Sequence, residues 1–295
     1  MAAALALLAA RARKRVLTVD VDAKGDLAGA LGSHPVGFQP HTVQPGVWSL
    51  RLQPEEAFQE YLRLYFKVPR FARLTPLAHV FDFIATGVPG PRDMLVVGKI
   101  AYEQRRRQSN GNPMWDLIIV DSAASGQMVS HLAAAHNMLT LVRGGLIRGQ
   151  VEWIDEMVRD HDRSTVVLCA LPQEMAVVEA IELYHRLIDE VGVAVDVCLL
   201  NQMITTSVSA PQRRLVAAMT EESHREAVVQ RLGGPPEPLG LALDLSARLY
   251  SSGREREKEL VAGLPVPVVE VPLTVARPGL ATTRVVADAL AEALS

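Results

Sequence analysis

Asp121 closes a run of four apolar residues, Leu117 to Val120, and is followed by Ser122, Ala123, Ala124, Ser125 and Gly126, a stretch with almost no side-chain bulk. Four consecutive apolar residues suit a strand covered on both faces by helices. A carboxylate at the end of such a strand sits where open α/β sheets place their ligand crevice. The small loop lets backbone amides approach an anion, and a helix beginning near Gln127 would add its positive end. A helix-capping aspartate gives the same local pattern. A second carboxylate, Asp22, follows the strand-like run RVLTVDV of residues 15–21. Asp20, two residues earlier, shares its side of that strand, or is an ordinary polar strand-end residue. Acids at neighbouring strand ends with small loops behind them suit a metal–phosphate site. One carboxylate would hold Mg2+ through water, and the other would orient an attacking water.

Other chemistries find little support. No GxGxxG opens a helix after a strand, GxSxG is absent, and the eight histidines include no HExxH or pair at ligand spacing. The net charge of −3 offers no basic field for nucleic acid. Hydrophobic residues make up 49% and charged residues 21% of the 295, as in a globular chain able to bury a sizeable core. The two cysteines, Cys169 and Cys198, each lie in an apolar run. Buried thiols and a reducing compartment, the cytoplasm, are expected from that. In the first fifteen residues the charge follows the apolar run, the reverse of a signal peptide, and no run is long enough to span a bilayer.

The elements that must position these acids alternate. Residues 2–13 are strong helix formers that begin without a cap, like the middle of something. Residues 33–46 read as a surface loop before a strand at 47–52. From 54 to 107 the pattern is helical, broken at Pro69, Pro76 and residues 88–93. Five of the six phenylalanines fall between Phe58 and Phe83, the core of a helical subdomain or a groove for an apolar partner segment. Helices are expected at 127–137, 146–161, 173–191, 210–232 and 238–262, and strands at 165–171, 195–200 and 266–271, before a C-terminal helix. That alternation predicts an α/β fold with a doubly wound, mostly parallel sheet.

The order of these pieces resembles the arsenical-pump and tail-anchored-protein-targeting ATPases, the ArsA-like branch of the deviant Walker-A P-loop class. DAKGDLAGAL at 22–31 is similar to that family's switch I, and DSAASG at 121–126 to its switch II. VPGPRDM at 88–94 and LPQEMAVVEA at 171–180 resemble two further family junctions, LLNQ at 199–202 its adenine-contacting Asn, and PLTVARPG at 272–279 the loop over the base. The resemblance implies ATP and Mg2+ as cofactors. Asp22, with Asp20, would position the hydrolytic water, Asp121 would hold the metal, and Gly126, Asn201, Pro272 and Leu273 would contact nucleotide. It also implies one ArsA-like domain over 1–295 with a helical subdomain at about 53–112 and 127–163. A homo- or heterodimer with a related ATPase subunit is expected, acting on a client that presents an apolar segment. No binding of nucleic acid and no stable membrane insertion are expected.

The family's K-G-G-x-G-K-T/S phosphate loop is not in the sequence, which matches the family only from the helix after that loop onward. Weak nucleotide binding by this polypeptide is expected in consequence, with an upstream extension anticipated. The alternative is a non-catalytic pseudo-ATPase partner subunit with an apolar helical surface. Ala124 and Ser125 replace the family's Pro and Thr, and no cysteine lies in the helical region.

Overall fold

The computed structural model describes residues 1–21, 26–66, 91–142 and 144–294. They form a mixed α/β fold with mostly parallel sheets and many helices, as the alternation predicts. The strands fall into two sheets, of four and three strands, where a single sheet was expected. The described residues divide into two compact units, one of Met1–Val167, Glu182–Asp196 and Val275–Ser295, the other of Leu168–Ile181 and Val197–Thr274.

In the first unit β1 (Val16–Asp20) lies between β3 (Val47–Arg51) and β4 (Leu117–Asp121), parallel to both, and β2 (His41–Gln44) adds an antiparallel edge. Strand β2 falls inside the expected surface loop. Its short, polar, partly exposed HTVQ carries no strand-like alternation, and only the turn at Gly46, with φ +77°, folds it back on β3. The register is regular along β1: Leu17 pairs with Trp48 and Ile118, Val19 with Leu50 and Val120, and Asp20 with Arg51 and Asp121.

Alternation sends Leu17, Val19 and Leu50 to one face, where they pack with Val96, from α4 (Pro91–Arg105), and Trp115. The opposite face meets α1 (Ala2–Arg11), whose buried Ala3, Ala4 and Ala6 let the helix lie close to β1, β3 and β4. Helix α11 (Leu280–Ala293) packs on α1, and its Thr283 hydroxyl donates to the Ala30 carbonyl of α2 (Asp26–Ala30) at 2.7 Å. Strand β4 is the outermost strand of its sheet. Leu117 is 40% exposed and Ile118 to Val120 are half-buried, so the four-residue apolar run is not covered on both faces as expected.

Helix α3 (Pro54–Phe66) packs on α4, which also contacts α5 (Ser125–Leu141), and α5 packs on α6 (Gly145–Arg159). The aromatic-rich stretch from Phe58 to Phe83 lies mostly outside the described residues.

The other sheet, of order β5-β6-β7, holds β5 (Thr165–Ala170), β6 (Ala194–Met203) and β7 (Val268–Pro272), with β6 and β7 parallel. Cys198 is buried, and burial pushes its thiol up to about 12. Cys169 is exposed, contrary to expectation, because it lies on an outer strand of the three. Helix α7 (Glu174–Arg186) ends in a π turn at Leu187–Val191. The helix expected over 210–232 is two, α8 (Ala210–Thr220) and α9 (Glu222–Leu232), since Glu221 is extended at ψ 140°. Helix α10 (Glu237–Gly263) follows, and its Arg254 holds Glu270 of β7 through two hydrogen bonds of 2.6 and 2.7 Å.

Candidate functional site

Asp20 and Asp121 are register partners at the carboxyl ends of adjacent parallel strands. Because paired residues of parallel strands point to the same face, the two carboxylates and Arg51, the partner of Asp20 on β3, form one row. The row is pinned by backbone bonds. Val21 N–H donates to the Asp121 carbonyl at 3.1 Å, and Leu52 N–H to the Asp20 carbonyl at 2.8 Å. Asp20 is 6% exposed, whereas Asp121 is open to solvent. Asp22 lies outside the described residues.

Arg51 was not singled out by its sequence context, where RLQ at a strand end is unremarkable. Its Nε is buried without a hydrogen-bond partner, and its Nη2 lies 3.2 Å from the Gln53 side-chain oxygen when that amide is turned to satisfy both groups. A guanidinium beside two carboxylates at a strand-end crevice has the chemistry to meet a phosphate oxygen. Two carboxylates also fit Mg2+, which takes one or two acids and completes its shell with water and phosphate. Among the described residues no group of three or more His, Cys, Asp or Glu side chains could hold a metal by itself.

Helix α5 begins at Ser125, two residues before the expected start, so Gly126 lies in its first turn. Ala124 caps it without a side-chain bond, and the Gln127 and Met128 amides both donate to the Ala124 carbonyl, at 2.9 and 3.0 Å. No acid sits in that first turn. A Cβ at Gly126 would meet nothing within 4 Å, so open space adjoins the loop.

The strand carrying Asp121 is held from its start. Trp115 donates its indole N–H to Glu103 Oε2 at 3.0 Å, and Glu103 also meets Lys99 at 3.0 Å and Arg106 at 2.8 Å. Lys99 reaches Glu60 of α3 at 2.7 Å and lies over the Phe38 ring at 4.4 Å. Helices α3 and α4 and the entry to β4 therefore share one buried ionic cluster. Further along, His131 of α5 is buried, 3.3 Å from Asp93 of α4. Burial pulls the imidazole below its ordinary pKa; Asp93 works against that shift, and Arg92 adds to it.

Three other residues expected to contact nucleotide, Asn201, Pro272 and Leu273, lie in the second unit. Asn201 accepts from the Gln202 amide at 2.9 Å through its side-chain oxygen, and Gln202 has φ +62°. The β6–β7 register shifts between Leu200 and Met203, so Asn201 and Gln202 form a bulge at the carboxyl end of β6. The Leu273 amide donates to Met203 O at 2.9 Å, which brings Pro272 and Leu273 beside that bulge. Left-handed backbone is uncommon at a non-glycine residue, and no sequence signal at Gln202 announces it.

No family model matches the chain. ATPase BagA of Mycobacterium tuberculosis is 30% identical over 193 residues, covering 63% of this chain and 56% of that protein. A Mycobacterium bovis protein that also carries an ATPase name matches with the same identity and coverage. The chain thus spans about half the length of the curated relatives it matches. Among the described residues no helix is long and apolar enough to cross a membrane.

Proposed function

We propose that this chain is an ATPase-type protein of the ArsA-like kind, binding ATP with Mg2+ at the carboxyl ends of β1 and β4. The observation that carries this reading is the row of Asp121, Asp20 and Arg51 in strict register beside an uncapped helix start. The ATPase names of its distant relatives point the same way. In this reading Asp121, the more open acid, binds Mg2+ through water. Asp20 and Asp22 orient the attacking water, and Arg51 and the start of α5 meet phosphate oxygens. The working unit is a dimer with a related subunit, and the helices around α3 to α6 carry the surface for an apolar client segment.

The test is Mg2+-dependent binding of a fluorescent ATP analogue, followed by hydrolysis, to this chain and to one extended upstream through any in-frame phosphate loop. Asp121→Asn in the form that binds better should weaken Mg2+-dependent affinity at least about tenfold while leaving the fold intact. If neither form binds nucleotide, the ATPase reading fails and the chain is a non-catalytic partner subunit.

A further inference from the structure

We infer that Cys169 and Cys198 form a reversible thiol–disulfide site, bridging β5 to β6 when a low-molecular-weight disulfide reacts with the chain. The two strands are hydrogen-bonded neighbours, and Thr165 Oγ1 donates to the Ala194 carbonyl at 3.3 Å, which sets these two residues side by side. A helix, α7, joins the strands, so they run parallel as in other strand–helix–strand units. Four residues farther along each strand stand Cys169 and Cys198. They are therefore level with one another and, because side chains repeat every second residue, on the face that Thr165 and Ala194 share. The burial pattern agrees. On that face Thr165, Cys169 and Asp196 are exposed, whereas Leu168, Val195 and Leu199 of the opposite face are buried. The two thiols are also near enough for Cys169 to add to the rise in the Cys198 pKa.

Neighbouring strands lie about 4.8 Å apart, inside the Cα separation of about 4.4–6.8 Å that a disulfide spans. Accessibility sets the order of events, since Cys169 is exposed and Cys198 is buried with its thiol still protonated at neutral pH. The Cys169 thiolate attacks one sulfur of the small disulfide, a mixed disulfide forms, and one small thiol leaves. The Cys198 sulfur then attacks the Cys169 sulfur, and its proton goes to the second small thiol as that departs. Two protein thiols are oxidised to one disulfide while one small disulfide is reduced to two small thiols. Because one of its sulfurs reaches solvent, the bridge belongs to the labile kind that an excess of reduced thiol reopens.

This site goes beyond the nucleotide reading and does not rest on it, so the two can fail separately. The test is incubation of the full native chain with oxidised glutathione, followed by acid quenching, alkylation of the remaining thiols and intact-mass measurement. At about 1 mM oxidised glutathione, at least about nine-tenths of the chain should take up no alkylating agent, carry no glutathione and be lighter by two hydrogens, and dithiothreitol should restore both thiols. Cys169→Ser, a change at an exposed position, should leave Cys198 unmodified in the folded chain. Cys198→Ala should hold glutathione on Cys169; should that variant not fold, a peptide map of the oxidised wild-type chain showing Cys169 joined to Cys198 takes its place. A wild-type chain that keeps both thiols, that stops with glutathione on Cys169, or that forms disulfides only between chains overturns the inference.

Discussion

Replacing Lys99 by Met should be among the most destabilising single changes in the first unit. The ammonium is 2% exposed and stands between Glu60, 10% exposed and 2.7 Å away, and Glu103, 1% exposed and 3.0 Å away. Methionine fills much of the same volume but leaves two largely buried carboxylates without their shared cation. Breaking a buried pair from one side costs about 3–5 kcal/mol. Glu103 keeps Trp115 and Arg106 as donors, so the lower end, about 3 kcal/mol, is expected. For a unit of this size that loss lowers the unfolding temperature by about 6–12 °C. Adding Glu60→Gln to Lys99→Met removes one of the two carboxylate charges and should recover about half the loss. Urea denaturation followed by tryptophan fluorescence reads both, and Trp115, bonded to the cluster, reports the local change. A loss below about 1 kcal/mol, or a double variant no more stable than Lys99→Met, would show that these charges are solvated in the folded chain and that the cluster does not hold β4.

Asp116 is kept at about 2 by the Arg15 guanidinium and by the Arg15 backbone N–H, against an ordinary 3.8. A depressed carboxylate contributes fully above its unfolded pKa and loses that contribution as pH falls from 3.8 toward 2. Asp116→Asn should therefore cost about 1 kcal/mol at pH 7, after discounting for the solvent around this part-exposed pair, and only a small fraction of that at pH 2, as read by denaturation at the two pH values. His131 is also depressed, so it adds stability above 6.5 that fades as pH falls through its folded value; His131→Leu should flatten the stability profile below pH 6.5. In the second unit, a Cβ on Gly263 would sit 2.4 Å from Ile181 Cδ1. Gly263→Ala should cost about 1–3 kcal/mol in thermal unfolding, and Ile181→Val in the same chain should relieve most of it.

Periodicity and composition were enough to place most helices and strands and to mark Asp121 as a strand-end acid, because these signals are local; the acid expected at the other strand end, Asp22, lies outside the described residues, and Asp20, expected only as its neighbour, ends the strand. A run of apolar residues announces a strand wherever the strand goes. What lies beside it depends on partners far along the chain. Pairing across a hundred residues put Asp20 level with Asp121, and pairing with β3 put Arg51 in the same row. No spacing rule relates those positions. Strand order likewise decided that β4 is half-exposed and that Cys169 reaches solvent, since an outer strand and an inner one can carry the same apolar residues. The bulge that gives Gln202 its left-handed backbone arises where β6 loses register with β7, a mismatch between two strands that neither sequence contains alone. The sequence by itself thus determined residue types and local elements, and tertiary pairing decided which side chains meet, because contact is a property of two segments.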